Sequence, residues 1–281
     1  VFALLGVCFC LWMTLFAART GMSRVAAKDA LATSSLEAAD RAVGLSASDA
    51  EAHYARAVML SLNGATAEAL REYELAAALR PRDYFLWLTL GTAREEAGDV
   101  AGSLVALQEA VRLAPYYAQP RWRLGNALLR SGGRQKEAFD EMRRAAESDP
   151  RLLPALIDIV WATTGNDPAS VEQIIQPRDD SAHLTLARFF VRKGRIREAM
   201  AHFNYAGSVS KEERAALLQA LMAAKHYREA YEVWLSGQEN KSNLPLPGSD
   251  TLIDGGFERS INLDEATFVT PRALDRAIDA S

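Results

Sequence analysis

Residues 84–99 read Y-F-L-W-L-T-L-G-T-A-R-E-E-A-G-D. Apolar and small residues fall at helical spacing through this stretch, and Gly98 closes it, because glycine takes the positive φ that ends a helix. A second helical run follows and stops before Pro115, where the ring removes an N–H that no helix needs. Pro81 and Pro115 stand 34 residues apart, and the small positions between them recur in the neighbouring blocks. The block from Ala50 has Ala57 at the small site and Gly64 at the turn, then Ala69, Tyr73, Ala76 and Pro81. The block from Ala118 has Leu124-Gly125, Leu128 and Gly132, with Gly133 lengthening the turn, then Ala138, Met142, Ala145 and Pro150. A fixed period of this length, punctuated as helix, turn and helix, predicts an all-α solenoid of stacked helix pairs.

The frame weakens and returns on either side. Residues 151–179 start apolar and break at Gly165, Asn166 and Pro168, which reads as a degenerate helix pair. Residues 180–236 hold two further units, one with Leu186-Ala187, Phe190, Gly194, Ala199, Phe203 and Ala206, the next with Leu217, Leu221, Ala230 and Trp234. Asp179 stands where it would cap a helix start. Upstream, residues 21–49 read as a partial first repeat, with Ser35, Ala39 and Ala42 on its second helix.

Trp87, Leu90-Gly91, Ala110 and Pro115 together resemble the tetratricopeptide repeat (TPR) pattern, with His53 and His183 in the Trp slot of two other blocks. The chain departs from it at Leu107, where the family has an aromatic residue, and at Ser103, where it has a smaller one. The likeness covers roughly residues 23–236, with residues 50–150 forming three full repeats. It implies a helix–turn–helix solenoid whose first helices line a groove for a protein partner, either an extended peptide or a helix. Carried onto this chain, the groove positions are Tyr54 and Val58, then Phe85, Leu88, Thr92 and Glu95, then Trp122, Asn126 and Arg130, and later Arg188 and Arg192. Leu88 and Val58 suit packing between repeats better than partner contact. Trp122 is the favoured anchor, since the repeat needs no Trp there and Trp is a frequent hot spot. Some members clamp a chaperone's terminal carboxylates with Lys and Asn; Tyr54 and Val58 stand in those places, so that use is disfavoured.

Residues 1–18 carry no charge. At about 1.5 Å per residue the run is about 27 Å long, close to a bilayer's ~30 Å hydrocarbon core. A transmembrane anchor over residues 1–20 is expected, rather than a cleaved signal, because Phe16 precedes Ala17-Ala18 where a small residue is needed. Neither Val7 nor Phe9 is the small residue a lipoprotein signal needs before Cys8 or Cys10, and these cysteines read as small apolar membrane residues. Arg19, Arg24 and Lys28 after the anchor favour a cytoplasmic body. Residues 237–281 pull the other way: after a Pro- and Gly-bearing linker, L-I-D-G-G-F-E at 252–258 resembles the opening strand of extracellular β-sandwich modules, which would continue past Ser281. A short terminal helix from Pro271 is the alternative. The expected location is the inner membrane, single-pass, with a periplasmic body.

The net charge of −4 excludes the strong basic excess that nucleic-acid binding needs. His53, His183, His202 and His226 form no H-E-x-x-H, and no phosphate-binding glycine motif occurs. Paired acids such as Glu95-Glu96 suit a solvated helix face. No enzyme, cofactor or metal is therefore expected. The sequence reads as a membrane-anchored scaffold for assembling a membrane or envelope complex, with exopolysaccharide assembly as one setting. A structural accessory subunit of a larger membrane complex is the alternative, and a sugar-binding factor a third.

Overall fold

A computed structural model describes residues 2–238. The chain divides into two compact units, Val1–Leu152 and Leu153–Ser281. Among the described residues there are fourteen α-helices and no strand, which is the helical-repeat class expected. The linker beyond Gln238, the β-sandwich likeness at 252–258 and the helix from Pro271 all lie outside the described residues.

The first unit runs α1 (Phe2–Thr33), α2 (Leu36–Leu45), α3 (Ala50–Leu62), α4 (Thr66–Leu79), α5 (Tyr84–Glu96), α6 (Val100–Leu113), α7 (Ala118–Ser131) and α8 (Gln135–Ser148), ending in a 3-10 turn at Pro150–Leu152. Consecutive helices pair as α1 with α2, α3 with α4, α5 with α6 and α7 with α8. Asp49 and Asp83, one period apart, cap α3 and α5 by accepting from the amides of Glu51 and Phe85. Gly64 and Gly98 end the first helices of two pairs at φ of 76° and 82°, which side chains rarely tolerate. The result is the TPR helix–turn–helix architecture.

A hydrogen bond repeats with the same period. His53 Nε2 lies 2.9 Å from the carbonyl oxygen of Ala47, Trp87 Nε1 donates to Pro81 O at 2.9 Å, and Arg121 Nε donates to Pro115 O at 2.7 Å. Each side chain reaches back to the turn before its own helix, so three different residues do one job: they fasten the first helix to the preceding turn. His53 also makes a 2.6 Å bond to Glu72 Oε2, and Arg56 holds the other oxygen of this buried carboxylate at 2.9 Å.

The core is built in layers shared by neighbouring repeats. Ala27, Ala30, Ala39, Ala42, Ala52 and Ala55 pack α1, α2 and α3 together. Farther along, Leu88, Leu107, Leu124 and Leu128 fill the layer between α5, α6 and α7. Helices approach closely at Gly91 and Gly125; a Cβ on Gly125 would lie 2.5 Å from Met142 Cγ and 2.9 Å from the Ala138 carbonyl oxygen.

At the N-terminus the structure adds something the sequence did not suggest. α1 does not stop after the apolar run; it continues unbroken for 32 residues and supplies the first helix of the first pair. Ser23, in the small slot one period before Ala57, is fully buried and donates to Ala42 O at 2.9 Å. Ser35 is not inside α2 as expected but is its N-cap, accepting from the Ala38 amide.

The second unit, described by itself, runs α9 (Leu153–Thr163), α10 (Pro168–Ile175), α11 (Asp180–Arg192), α12 (Ile196–Tyr205), α13 (Lys211–Ala223) and α14 (Tyr227–Ser236). α10 is only eight residues long, begun by Pro168 behind the Asp167 cap and ended by Gln176 in the left-handed region. Asp179 caps α11 by accepting from the Ala182 amide. This core is aromatic: Trp161 of α9 meets Phe189 and Phe190 of α11 edge-on at 5.5 and 6.3 Å.

Candidate partner-binding groove

The first helices of the first unit, α1, α3, α5 and α7, bring the expected groove residues together in three groups. Tyr54 of α3 and Phe85 of α5 meet edge-on at 5.4 Å, and Tyr54 also lies 6.2 Å from the Tyr73 ring. Phe85 keeps 40% of its surface exposed. Beside these rings a cleft of about 310 Å³ opens between α1, α3 and α5. Leu31, Tyr54 and Phe85 give it apolar walls, and Lys28, Glu51 and Arg80 stand around it. Arg80 is held by Asp49 at 3.3 Å and by Glu51 at 3.2 Å, so its charge is spent within the fold. Lys28 is exposed. Burial pushes the Tyr54 phenol above its ordinary range, which keeps it protonated and able to donate a hydrogen bond.

The second group ties α5 to α7. Glu95 and Arg130 form an ion pair across the two helices. Their charges offset each other, so neither acts as a lone charge toward a partner. Thr92 donates its hydroxyl to Leu88 O at 3.1 Å, the i−4 back-bond common for threonine in a helix.

Trp122, Asn126 and Arg130 share one face of α7 at i, i+4 and i+8. Trp122 is half-buried, and Asn126 donates its amide to the Trp122 carbonyl at 2.8 Å. Leu88 is buried in the core between repeats, and half-buried Val58 packs against two core layers. Arg188 and Arg192 belong to the second unit, on α11, where Arg188 is half-buried and the Arg192 guanidinium sits 5.7 Å over the Phe189 ring.

The sequence reading missed Lys28 and Leu31, because it gave the partial first repeat no first helix. Stepping the 34-residue frame back from Ala57 to Ser23 would have placed α1 on the groove side.

The histidines sit in structural settings. His183 and His202 face each other through Nδ1 at 2.9 Å, and His202 stacks on Phe190 at 5.6 Å. Burial pushes the His202 imidazole below its ordinary value; nearby Glu172 opposes that and His183 adds to it. Among the described residues no group of three or more histidine, cysteine or acidic side chains could hold a metal ion.

No family model matches the chain, and no curated protein matches it. Solved structures do resemble it at low identity. The pilF protein of Pseudomonas aeruginosa is 16% identical over 79% of this chain and 99% of its own, with a TM-score of 0.47. MamA from Desulfovibrio magneticus RS-1 is 19% identical over 66% and 92%, with a TM-score of 0.42. YrrB, a TPR protein with an unusual peptide-binding site, is 18% identical over 75% and 90%, with a TM-score of 0.41. The repeat fold itself rests on the helix pairs and the periodic hydrogen bonds described above.

Proposed function

We propose that the protein is a membrane-anchored scaffold that holds a peptide or helix of a partner protein in the groove of its first unit. The observation that carries this is the cleft beside Tyr54 and Phe85. It offers exposed aromatic surface next to a protonated phenol, the mix of apolar anchor and hydrogen-bond donor that peptide grooves use. Phe85 and Trp122 are the anchors, with exposed Lys28 offering a cation at the cleft's rim beside the carboxylates of Glu51 and Asp83. Glu95 and Arg130 shape the floor through their ion pair, and Thr92 and Asn126 line it. Arg188 and Arg192 would serve a separate basic patch on the second unit.

The anchor reading is supported by the start of α1. Leu5, Val7, Cys10, Leu11 and Met13 point in all directions around the helix, and all are exposed. A helix that is apolar all round needs a covering, and by length and composition this one can cross a membrane. The location proposed is the inner membrane with the body in the periplasm.

A photo-crosslinking amino acid placed in the living cell at Phe85 or Trp122 tests the groove, with Leu75 and Val105 on the second helices α4 and α6 as controls. Specific adducts from 85 and 122, absent from 75 and 105, are expected. Adducts only from 75 and 105 would move the binding surface to the second helices. A membrane-impermeant thiol reagent applied to intact cells reads the side of the membrane from a cysteine placed at the exposed Leu62, with Cys8 and Cys10 replaced by serine.

A further inference from the structure

The turns that follow each second helix lie on the edge of the first unit nearest the apolar run, and we infer that this edge rests on the lipid headgroups. The inference depends on α1 spanning the bilayer. It is carried by a chain of contacts leading from the base of α1 along that edge. Arg19, the first charge after the apolar run, donates to Leu45 O at the end of α2. Arg24 lies 3.6 Å from Asp49 in the turn between α2 and α3. Asp49 pairs with Arg80, in the turn between α4 and α5, at 3.3 Å. Tyr84, next along, meets Tyr117 of the turn between α6 and α7 edge-on at 5.1 Å.

Heights follow from helix geometry. α1 leaves the membrane, α2 returns toward it, and each later pair repeats the reversal, so residues 46–49, 80–83 and 114–117 share one edge. Arg24 is six residues beyond Ala18, about 9 Å along the helix, and a headgroup layer adds roughly 5–8 Å to each side of the hydrocarbon. The end of α2 therefore sits at the hydrocarbon boundary, and the first turn at the outer headgroups. Because α1 is itself the first helix of a pair, the pairs stack sideways along the bilayer rather than away from it.

The chemistry of the two edges differs as this arrangement requires. The near edge exposes Arg82 beside a depression of about 550 Å³, and Tyr116 with 87% and Tyr117 with 56% of their surfaces exposed. Tyrosine, with an apolar ring and a polar tip, and arginine, which pairs with phosphate, are the residues that suit a headgroup layer. The opposite edge, residues 63–65, 97–99 and 132–134, carries no aromatic residue, and its one arginine, Arg134, is paired with Glu137. The occupant is the phosphate and glycerol layer of the same bilayer that α1 crosses.

Depth-resolved quenching tests this on the full chain, with Cys8→Ser and Cys10→Ser, in vesicles of phosphatidylcholine and phosphatidylglycerol. Single cysteines from Trp12→Cys, Arg82→Cys, Tyr116→Cys, Leu62→Cys and Ala97→Cys each carry a small fluorophore. Lipids spin-labelled on the headgroup should quench the 82 and 116 labels severalfold more than the 62 and 97 labels. Lipids labelled in the acyl chain should quench the label at 12. Quenching at 12 without any excess at 82 and 116 overturns the edge contact and leaves the anchor standing. No quenching at 12 removes the anchor, and the edge contact with it.

Discussion

Alanine in place of Gly125 should loosen one helix pair, although alanine is the better helix former. The gain in helix propensity is about 1 kcal/mol. Against it, the new Cβ would meet Met142 Cγ at 2.5 Å and the Ala138 carbonyl oxygen at 2.9 Å. Met142 can swing aside. The carbonyl belongs to the α8 backbone, so relief requires α7 and α8 to separate. Overpacking of this kind costs about 1–3 kcal/mol, and a backbone contact belongs in the upper part of that range, so the net loss is about 1–2 kcal/mol. Gly44 in α2 is the control, because a Cβ there meets nothing within 4 Å; Gly44→Ala should stabilise by up to about 1 kcal/mol. Repeat arrays unfold in pieces, so a global melting point is the wrong readout. Hydrogen exchange of peptides from α7 and α8 reads the local opening, and about 5–30-fold faster exchange is expected from Gly125→Ala. Exchange equal to or slower than wild type in α7 and α8 would refute the close approach of these helices.

His53→Ala removes a partner from the buried Glu72 and frees the Ala47 carbonyl, and should cost about 1–3 kcal/mol, read as faster exchange in α3 and α4. The second unit should lose stability as pH falls below 6.5, the ordinary imidazole value. The sign follows from His202: its folded pKa is depressed, so between the two values the unfolded chain binds more protons, and the loss is complete once pH has dropped through the folded pKa. Exchange in α11 and α12 across this range checks it, and His202→Phe should flatten the slope; an unchanged slope would exonerate His202. Trp122→Ala together with Asn126→Ala should abolish partner capture while circular dichroism shows full helicity. Capture that survives would place the contact away from this face of α7.

The period was legible because its markers are chemically narrow. Glycine is strongly favoured at the positive-φ turns of Gly64 and Gly98, and small residues fit the close approaches at Ala57, Gly91 and Gly125. The fastening hydrogen bond was not legible, because His53, Trp87 and Arg121 share no side-chain class, only a nitrogen at the right reach. Groove exposure was also beyond the sequence. Trp122 reads as an exposed anchor, yet it is half-buried, and Thr92 turns its hydroxyl to its own helix. Such outcomes depend on rotamers and on neighbours one period away. The hardest element was α1. A run of eighteen uncharged residues announces a membrane segment strongly and masks the continuation of the helix beyond it. Its second half is marked only by Ser23, Ala27 and Ala30, small residues that bury against α2 and α3 without an aromatic or proline signpost.

The continuity of α1 bears on how the groove could work. Lys28 and Leu31, which line the cleft beside Phe85, lie ten or more residues beyond Ala18 on the same unbroken helix. Gly21 is the one glycine between Ala18 and Thr33, and no proline falls there; Arg19 and Ser23 on either side of it bond to carbonyls of α2, and the alanine layer fixes the rest of this half against α2 and α3. If α1 spans the bilayer, the first unit has no flexible tether. Its groove is then carried at a set height, about 15 Å above the hydrocarbon boundary at Lys28 and about 20 Å at Leu31, and in a set orientation. A partner segment reaching the cleft from the membrane side needs few linking residues, whereas a soluble partner gains nothing from the fixed geometry. With α1 across the bilayer, one continuous helix both spans it and lines the cleft, so the cleft's height is set by helix rise alone.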